Sequence, residues 1–147
     1  MASPEDAWEA LFARLIALRT AWPGRAWTYD RRLKCVTCAL SKADVAKDMA
    51  AVAAVLPASW TASTLAEAPP EVRAAVGACG GLRAGQSVSW GAGARADGSA
   101  AEVPAPAAFG LWWPWGDEVT ISLRIGLHAV DQPDVRYMRL RDAFGIT

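Results

Sequence analysis

The chain has 147 residues, the size of one ordinary domain, which leaves no room for a tandem array or a second large domain. Its apolar share of 53% and charged share of 20% suit a folded core and argue against disorder. Fifteen basic residues balance fifteen acidic ones, so no nucleic-acid partner and no membrane-surface partner is expected.

The start, Ser3-Pro4-Glu5-Asp6, is acidic and lacks the basic-then-apolar order of a secretory signal. The longest uncharged run, residues 49–66, is broken by Pro57, Ser59, Thr61 and Ser63, and is too polar to span a bilayer. Three cysteines are an odd number, and a chain of this length folds without staples. These features point to a cytoplasmic protein with reduced thiols.

Ser3 reads as an N-cap, Pro4 as the first helical residue, and Glu5 and Asp6 as the acidic first turn. Trp8, Leu11, Phe12, Leu15 and Leu18 recur on one stripe, which predicts a helix to about Arg19, ended by Pro23-Gly24. Residues 26–29 form a short strand candidate, Asp30-Arg31-Arg32 a turn, and residues 33–40 a second strand. Ser41 then caps a helix with Asp44 in the capping-box position. Its apolar face is Val45, Met49, Val52 and Leu56, and Pro57 stops it. A loop carrying Trp60 and Leu65 follows. Pro69-Pro70-Glu71 opens a third helix with Val72, Val76 and Cys79 on one face, stopped by Gly80-Gly81.

Residues 86–90 read as a strand, and 91–107 as a flexible loop rich in Gly, Ala and Pro. Residues 109–115 and 118–130 are the strongest strands. The second alternates Val119, Ile121, Leu123, Ile125 and Leu127 with Thr120, Ser122, Arg124 and His128, as a half-buried antiparallel strand does. Residues 135–144 favour a last helix over a strand, with Asp134 as its cap and Gly145 beyond its end. The order predicts a single α+β domain over 1–147. Its antiparallel sheet combines a C-terminal three-strand meander with an N-terminal strand pair, and about four helices pack mainly on one face.

Cys35-Val-Thr-Cys38 has the spacing of a redox dithiol or half of a zinc site. On a strand, residues three apart point to opposite faces, so the pair cannot close on one ion, and two structural thiols are the plainer reading. Zinc on Cys35 and Cys38 stays an alternative; no metal and no cofactor is expected. Gly91-Ala-Gly93-Ala-Arg-Ala96 has a dinucleotide-loop spacing, but Pro104 and Pro106 follow where that loop needs a helix. Cys79 with His128 lacks an orienting third group for nucleophilic catalysis, and a small buried side chain explains Cys79 as well. Arg136, Arg139 and Arg141 make the last helix locally basic, which a solvated face explains as well as an anionic partner does.

The eight tryptophans carry the most content. Most belong in the core, but Trp112 and Trp113 are neighbours and cannot both face inward on a strand. A two-residue Gly116-Asp117 loop pairs Trp112 with Ile121. A three-residue Gly116-Asp117-Glu118 loop pairs Trp113 with Ile121, Leu111 with Leu123 and Phe109 with Ile125. The second register stacks apolar on apolar, and it places Trp112 on the polar face. The candidate partner-binding residues are therefore Trp112, Ser122, Arg124 and His128, with no catalytic constellation. As a small Trp-rich α+β domain, the chain resembles bacterial toxin-immunity proteins in general class rather than in any motif. That implies a non-enzymatic module that binds a protein partner, as a toxin neutraliser or a chaperone; the partner could also be a second copy of the chain. A CxxC thiol or zinc protein and a small-molecule sensor with a Trp-lined pocket are the alternatives.

Overall fold

The computed structural model describes residues 3–22, 25–92 and 106–146. Helix α1 (Pro4–Ala21) opens with a full capping box. Ser3 Oγ accepts from the Asp6 N–H at 3.1 Å, and the Asp6 carboxylate accepts from the Ser3 N–H at 3.2 Å. Its apolar stripe, Trp8, Leu11, Phe12, Leu15 and Leu18, is buried as the spacing requires.

Strands β1 (Thr28–Asp30) and β2 (Cys35–Ser41) form the N-terminal pair. Asp30 makes the turn between them by accepting from the Arg32 and Leu33 N–H groups at 2.9 and 3.2 Å. Ser41 caps a short 3-10 turn (Lys42–Asp44), not the α-helix itself, and α2 (Val45–Ala53) follows. The apolar face of α2 is rotated from the expected one: Met49 is exposed, while Asp48 is buried and salt-bridged to Arg25 at 3.1 Å. Residues 58–61, expected as loop, are the edge strand β3 (Ala58–Thr61), paired with β4 (Ser87–Ala92). Only four residues long, β3 lacks the length that makes strand periodicity readable.

Helix α3 (Pro70–Ala78) ends where Gly80 and Gly81 take φ of +98° and +83°, and the Gly81 N–H closes on the Val76 carbonyl at 2.9 Å. Strands β4, β5 (Ala107–Pro114) and β6 (Thr120–His128) form the meander, and α4 (Pro133–Ala143) closes the chain as a helix. Gln132, at φ +46°, precedes α4 in place of the expected Asp134 cap; Asp134 lies in the first turn, where it complements the helix dipole. The expected loop 91–107 is narrower at both ends, because Gly91 and Ala92 pair with Ala108 and Ala107. Residues 93–105 lie outside the described residues. Gly91 is required by packing: a Cβ there would sit 2.7 Å from the Val55 carbonyl oxygen and 2.9 Å from Leu56 Cδ2.

The protein is a single α+β domain with one six-stranded antiparallel sheet in the order β1-β2-β6-β5-β4-β3. One face meets α1, α2 and α4 in a core that includes Val36, Cys38, Leu40, Ile121, Leu123, Ile125 and Leu127. The other face carries a smaller core under α3, built from Val72, Val76, Val88, Trp90, Phe109 and Leu111. The middle of the sheet is thus buried on both sides, and β5 is apolar almost throughout.

That two-sided burial overturns the expected hairpin register. The observed pairs are Trp112 with Leu123, Trp113 with Ser122, Leu111 with Arg124 and Phe109 with Gly126. The loop has four residues, Gly116 to Val119, and is closed by the Trp115 N–H on the Thr120 carbonyl at 2.8 Å. Asp117 holds it by accepting from the Val119 and Thr120 N–H groups and from Thr120 Oγ1, at 3.0, 2.9 and 2.8 Å. One residue more in the loop moves every side chain of β5 to the other face. Trp112 is therefore 1% exposed in the larger core, its indole N–H donating to Ser89 Oγ at 3.0 Å. The apolar-on-apolar pairing fails because Phe109, Leu111 and Trp113 have a second core to enter.

The basic surface expected on α4 is largely neutralised by α1. Arg136 is buried: it donates to Asp131 at 3.0 Å and to Glu5 at 3.1 Å, and its guanidinium lies 5.1 Å from the Trp8 ring centroid. Arg139 grips Glu9 through two bonds of 3.0 and 3.1 Å. Arg141 lies over Tyr29 at 5.0 Å.

Trp112→Ala is expected to cost ~3–5 kcal/mol, as for a large core aromatic, and Trp113→Ala distinctly less. Urea denaturation of both variants checks this; a larger loss for Trp113→Ala would contradict the observed register.

Candidate functional site

The face that carries α3 is covered unevenly. The helix lies over the β3-β4-β5 half, while Thr28, Ala39 and Ser41 on the β1-β2-β6 half are exposed. Strand alternation puts Ser122, Arg124 and His128 on this face, as the sequence predicts, together with Thr37, Asp30 and Cys35 from the neighbouring strands. Trp112, the fourth candidate, is on the opposite face and enclosed. Its neighbour Trp113 takes the place assigned to it, and Trp115 continues the same row two residues on.

Arg124 is the centre of this surface. Its Nη1 donates to Asp30 Oδ2 at 2.8 Å, and its guanidinium lies 4.8 Å from the Trp113 ring centroid. The Leu33 N–H, and after it Arg124, holds the Asp30 carboxyl below the usual carboxylate range. Arg124 Nε and Trp113 Nε1 are buried donors without a hydrogen-bond partner among the described residues. Ser122 is buried, its hydroxyl donating to the Trp113 carbonyl at 3.3 Å, so it supports the tryptophan and presents little to solvent. Trp115 is 50% exposed and Val119 63% exposed, making the hairpin tip an apolar projection at the end of the row.

His128 lies apart from this centre. It is half-buried against Trp90, with ring centroids 5.1 Å apart, where the sequence suggests a solvated histidine. Burial pushes its imidazole below 6.5, partly offset by Glu71.

The cysteines do not pair as their spacing suggests. Cys38 points into the α1 side of the sheet and Cys35 into the α3 side, so the CxxC cannot act as one chelating or redox pair. Burial pushes the Cys38 thiol up to about 12. The Cys35 thiol donates to the Leu33 carbonyl at 3.3 Å, and Cys79 follows α3 at the edge of the smaller core. Of the pair considered together in the sequence, Cys79 follows α3 and His128 ends β6 against Trp90. No group of three or more His, Cys, Asp or Glu residues is placed to hold a metal ion among the described residues. No described helix is long and apolar enough to cross a membrane.

No protein-family model matches the chain, and no curated protein and no solved structure is detectably similar to it.

The folded chain binds a proton at His128 less readily than the unfolded chain does. Stability from this residue is full above 6.5 and declines as the pH falls through that value. Thermal melts across that range should show a decline for the native protein and a flatter profile for His128→Gln.

Proposed function

We propose that the chain is a non-enzymatic protein-binding module, acting through the open part of the sheet face beside Trp113, Trp115 and Arg124. The observation that carries this reading is the row of two tryptophans, one half-buried and one half-exposed, next to an arginine stacked on the first. Trp and Arg supply a large share of binding energy at protein interfaces, and a rigid sheet presents them with little entropy to lose. The floor beside them is made of small side chains, Ala39, Ser41 and Thr37, on which a partner can approach closely. The near-neutral charge suits a protein surface better than a polyanion. Within this reading, a cytoplasmic toxin-neutralising role is the specific version, and it follows from the likeness in class to immunity proteins.

The chain should be screened by size-exclusion chromatography against the products of the genes that flank its own. A 1:1 complex is expected with one of them. Trp115→Ala should leave the melting temperature unchanged within error, because the side chain is half in solvent. It should weaken the complex by ~2 kcal/mol or more, the scale of an interface hot spot. A complex whose affinity is unmoved by Trp115→Ala and by Arg124→Met would overturn this surface as the interface.

A further inference from the structure

Among the described residues, Arg25, Arg124, Arg136 and Arg139 each meet a carboxylate. A second set of cations does not. Arg31, Arg32 and Lys34 lie exposed in the β1–β2 turn, and Arg141 lies in the last turn of α4. None of these four is in ion-pair contact with an acid among the described residues.

Two aromatic rings bring the turn and the helix into one corner. Lys34 Nζ lies 5.5 Å from the ring centroid of Tyr137 on α4, and the Arg141 guanidinium lies 5.0 Å from the ring centroid of Tyr29 on β1. Tyr137 and Arg141 are one turn apart and share a face of α4. Both tyrosines pack against the larger core, on the side of the sheet opposite Trp113. Their hydroxyls make no hydrogen bond among the described residues. Burial pushes both phenols up, Tyr137 to about 12, so each stays a protonated donor. Lys34 holds φ at +54°, a region that glycine enters freely and lysine rarely. A glycine would relieve the turn; the lysine strains it and adds a charge over Tyr137. The nearby acids leave these charges unmet. Asp30 accepts from Arg124 on the other face, Asp142 is about 100° round the helix from Arg141, and Asp134 lies back in the first turn of α4.

We propose that this corner is a docking site for an acidic, extended segment of a partner protein, held by Arg31, Arg32, Lys34 and Arg141 with the two phenols as hydrogen-bond donors. The formal net charge of the chain is zero, so the four cations are a local excess and not a share of general basicity. A short acidic stretch complements such a corner, whereas nucleic acids and anionic membranes are bound through wider basic areas. Tyr137 and Arg141 stand about 6 Å apart along the helix axis. Alternate side chains of an extended chain stand about 6.6 Å apart. Carboxylates at alternate positions can therefore meet both together. The site goes beyond the surface proposed above and is separate from it, since Tyr29 and Arg124 lie on opposite sides of the sheet.

The test follows the anisotropy of a fluorescein-labelled peptide alternating Glu and Ser, titrated with the purified chain at low salt. Saturable binding is expected, weakened by added salt and lost when Gln replaces Glu in the peptide. Arg31→Glu with Arg32→Glu should weaken it about tenfold or more without moving the melting temperature, because both side chains are exposed. Lys42→Glu with Lys47→Glu, exposed cations beyond the other end of β2, should change it by less than about twofold. Arg141→Gln should weaken it about threefold or more, which a site built by the turn alone would not show. Trp115→Ala should leave it unchanged, so the result is independent of the tryptophan surface. Absence of saturable binding, binding kept by the Gln peptide, equal loss in the two double variants, no effect of Arg141→Gln, sensitivity to Trp115→Ala, or tighter binding to phosphatidylserine vesicles or duplex DNA would each overturn the proposal. The Gln-for-Glu comparison uses only the native chain and decides the matter even where a variant fails to fold.

Discussion

The carboxylate of Asp117 sets the register of the whole sheet. By accepting two backbone N–H groups and the Thr120 hydroxyl it holds the β5–β6 loop at four residues, with Glu118 at φ +63°. A non-glycine residue in that region costs ~1–2 kcal/mol, which the three hydrogen bonds offset. Because β6 also pairs with β2, and β5 with β4, the register passes to both halves of the sheet. It delivers Trp112 to the large core, Trp113 to the rim of the small one, and Trp115 to solvent.

The two most deeply enclosed tryptophans each find a polar partner for the indole. Trp112 reaches Ser89, and Trp8 donates to Asp131 at 2.9 Å. A large aromatic can be fully enclosed when its one donor is met. Asp131 also accepts from Arg136, so one exposed carboxylate serves a core indole and a buried guanidinium. Arg136 in turn spans from α4 to Glu5 at the start of α1. This is how an apparently basic last helix packs on an acidic first turn, with its arginines covering the rings of Trp8, Phe12 and Tyr29.

The α3 face has the opposite character. Its small core fills only the β3-β4-β5 half, and polar and small residues continue across β6, β2 and β1. At the boundary, Arg124 is held between Asp30 and Trp113. A surface built this way combines a stiff backbone, two aromatic side chains and one oriented cation. These are the features on which the proposed recognition of another protein rests.

Local chemistry was legible in the residues themselves. Ser3 and Asp6 announce α1, Gly80-Gly81 announce the end of α3, and the β6 alternation names its two faces, because each rests on interactions between residues near in sequence. The opposite facing of Cys35 and Cys38 follows from the same strand period. The edge strand β3 was hidden because four residues carry no period and their partner lies far along the chain. Met49 and Asp48 exchanged places because Arg25, from another segment, meets the buried carboxylate. The choice between Trp112 and Trp113 turned on whether the sheet is covered on one side or two, which alternation in a single strand cannot report. The meeting of Asp30 with Arg124 likewise depended on strand order. By itself the sequence determined the class of fold and the principal helices and strands; the tertiary structure alone decided register and convergence, since both are set by contacts between residues that the chain keeps far apart.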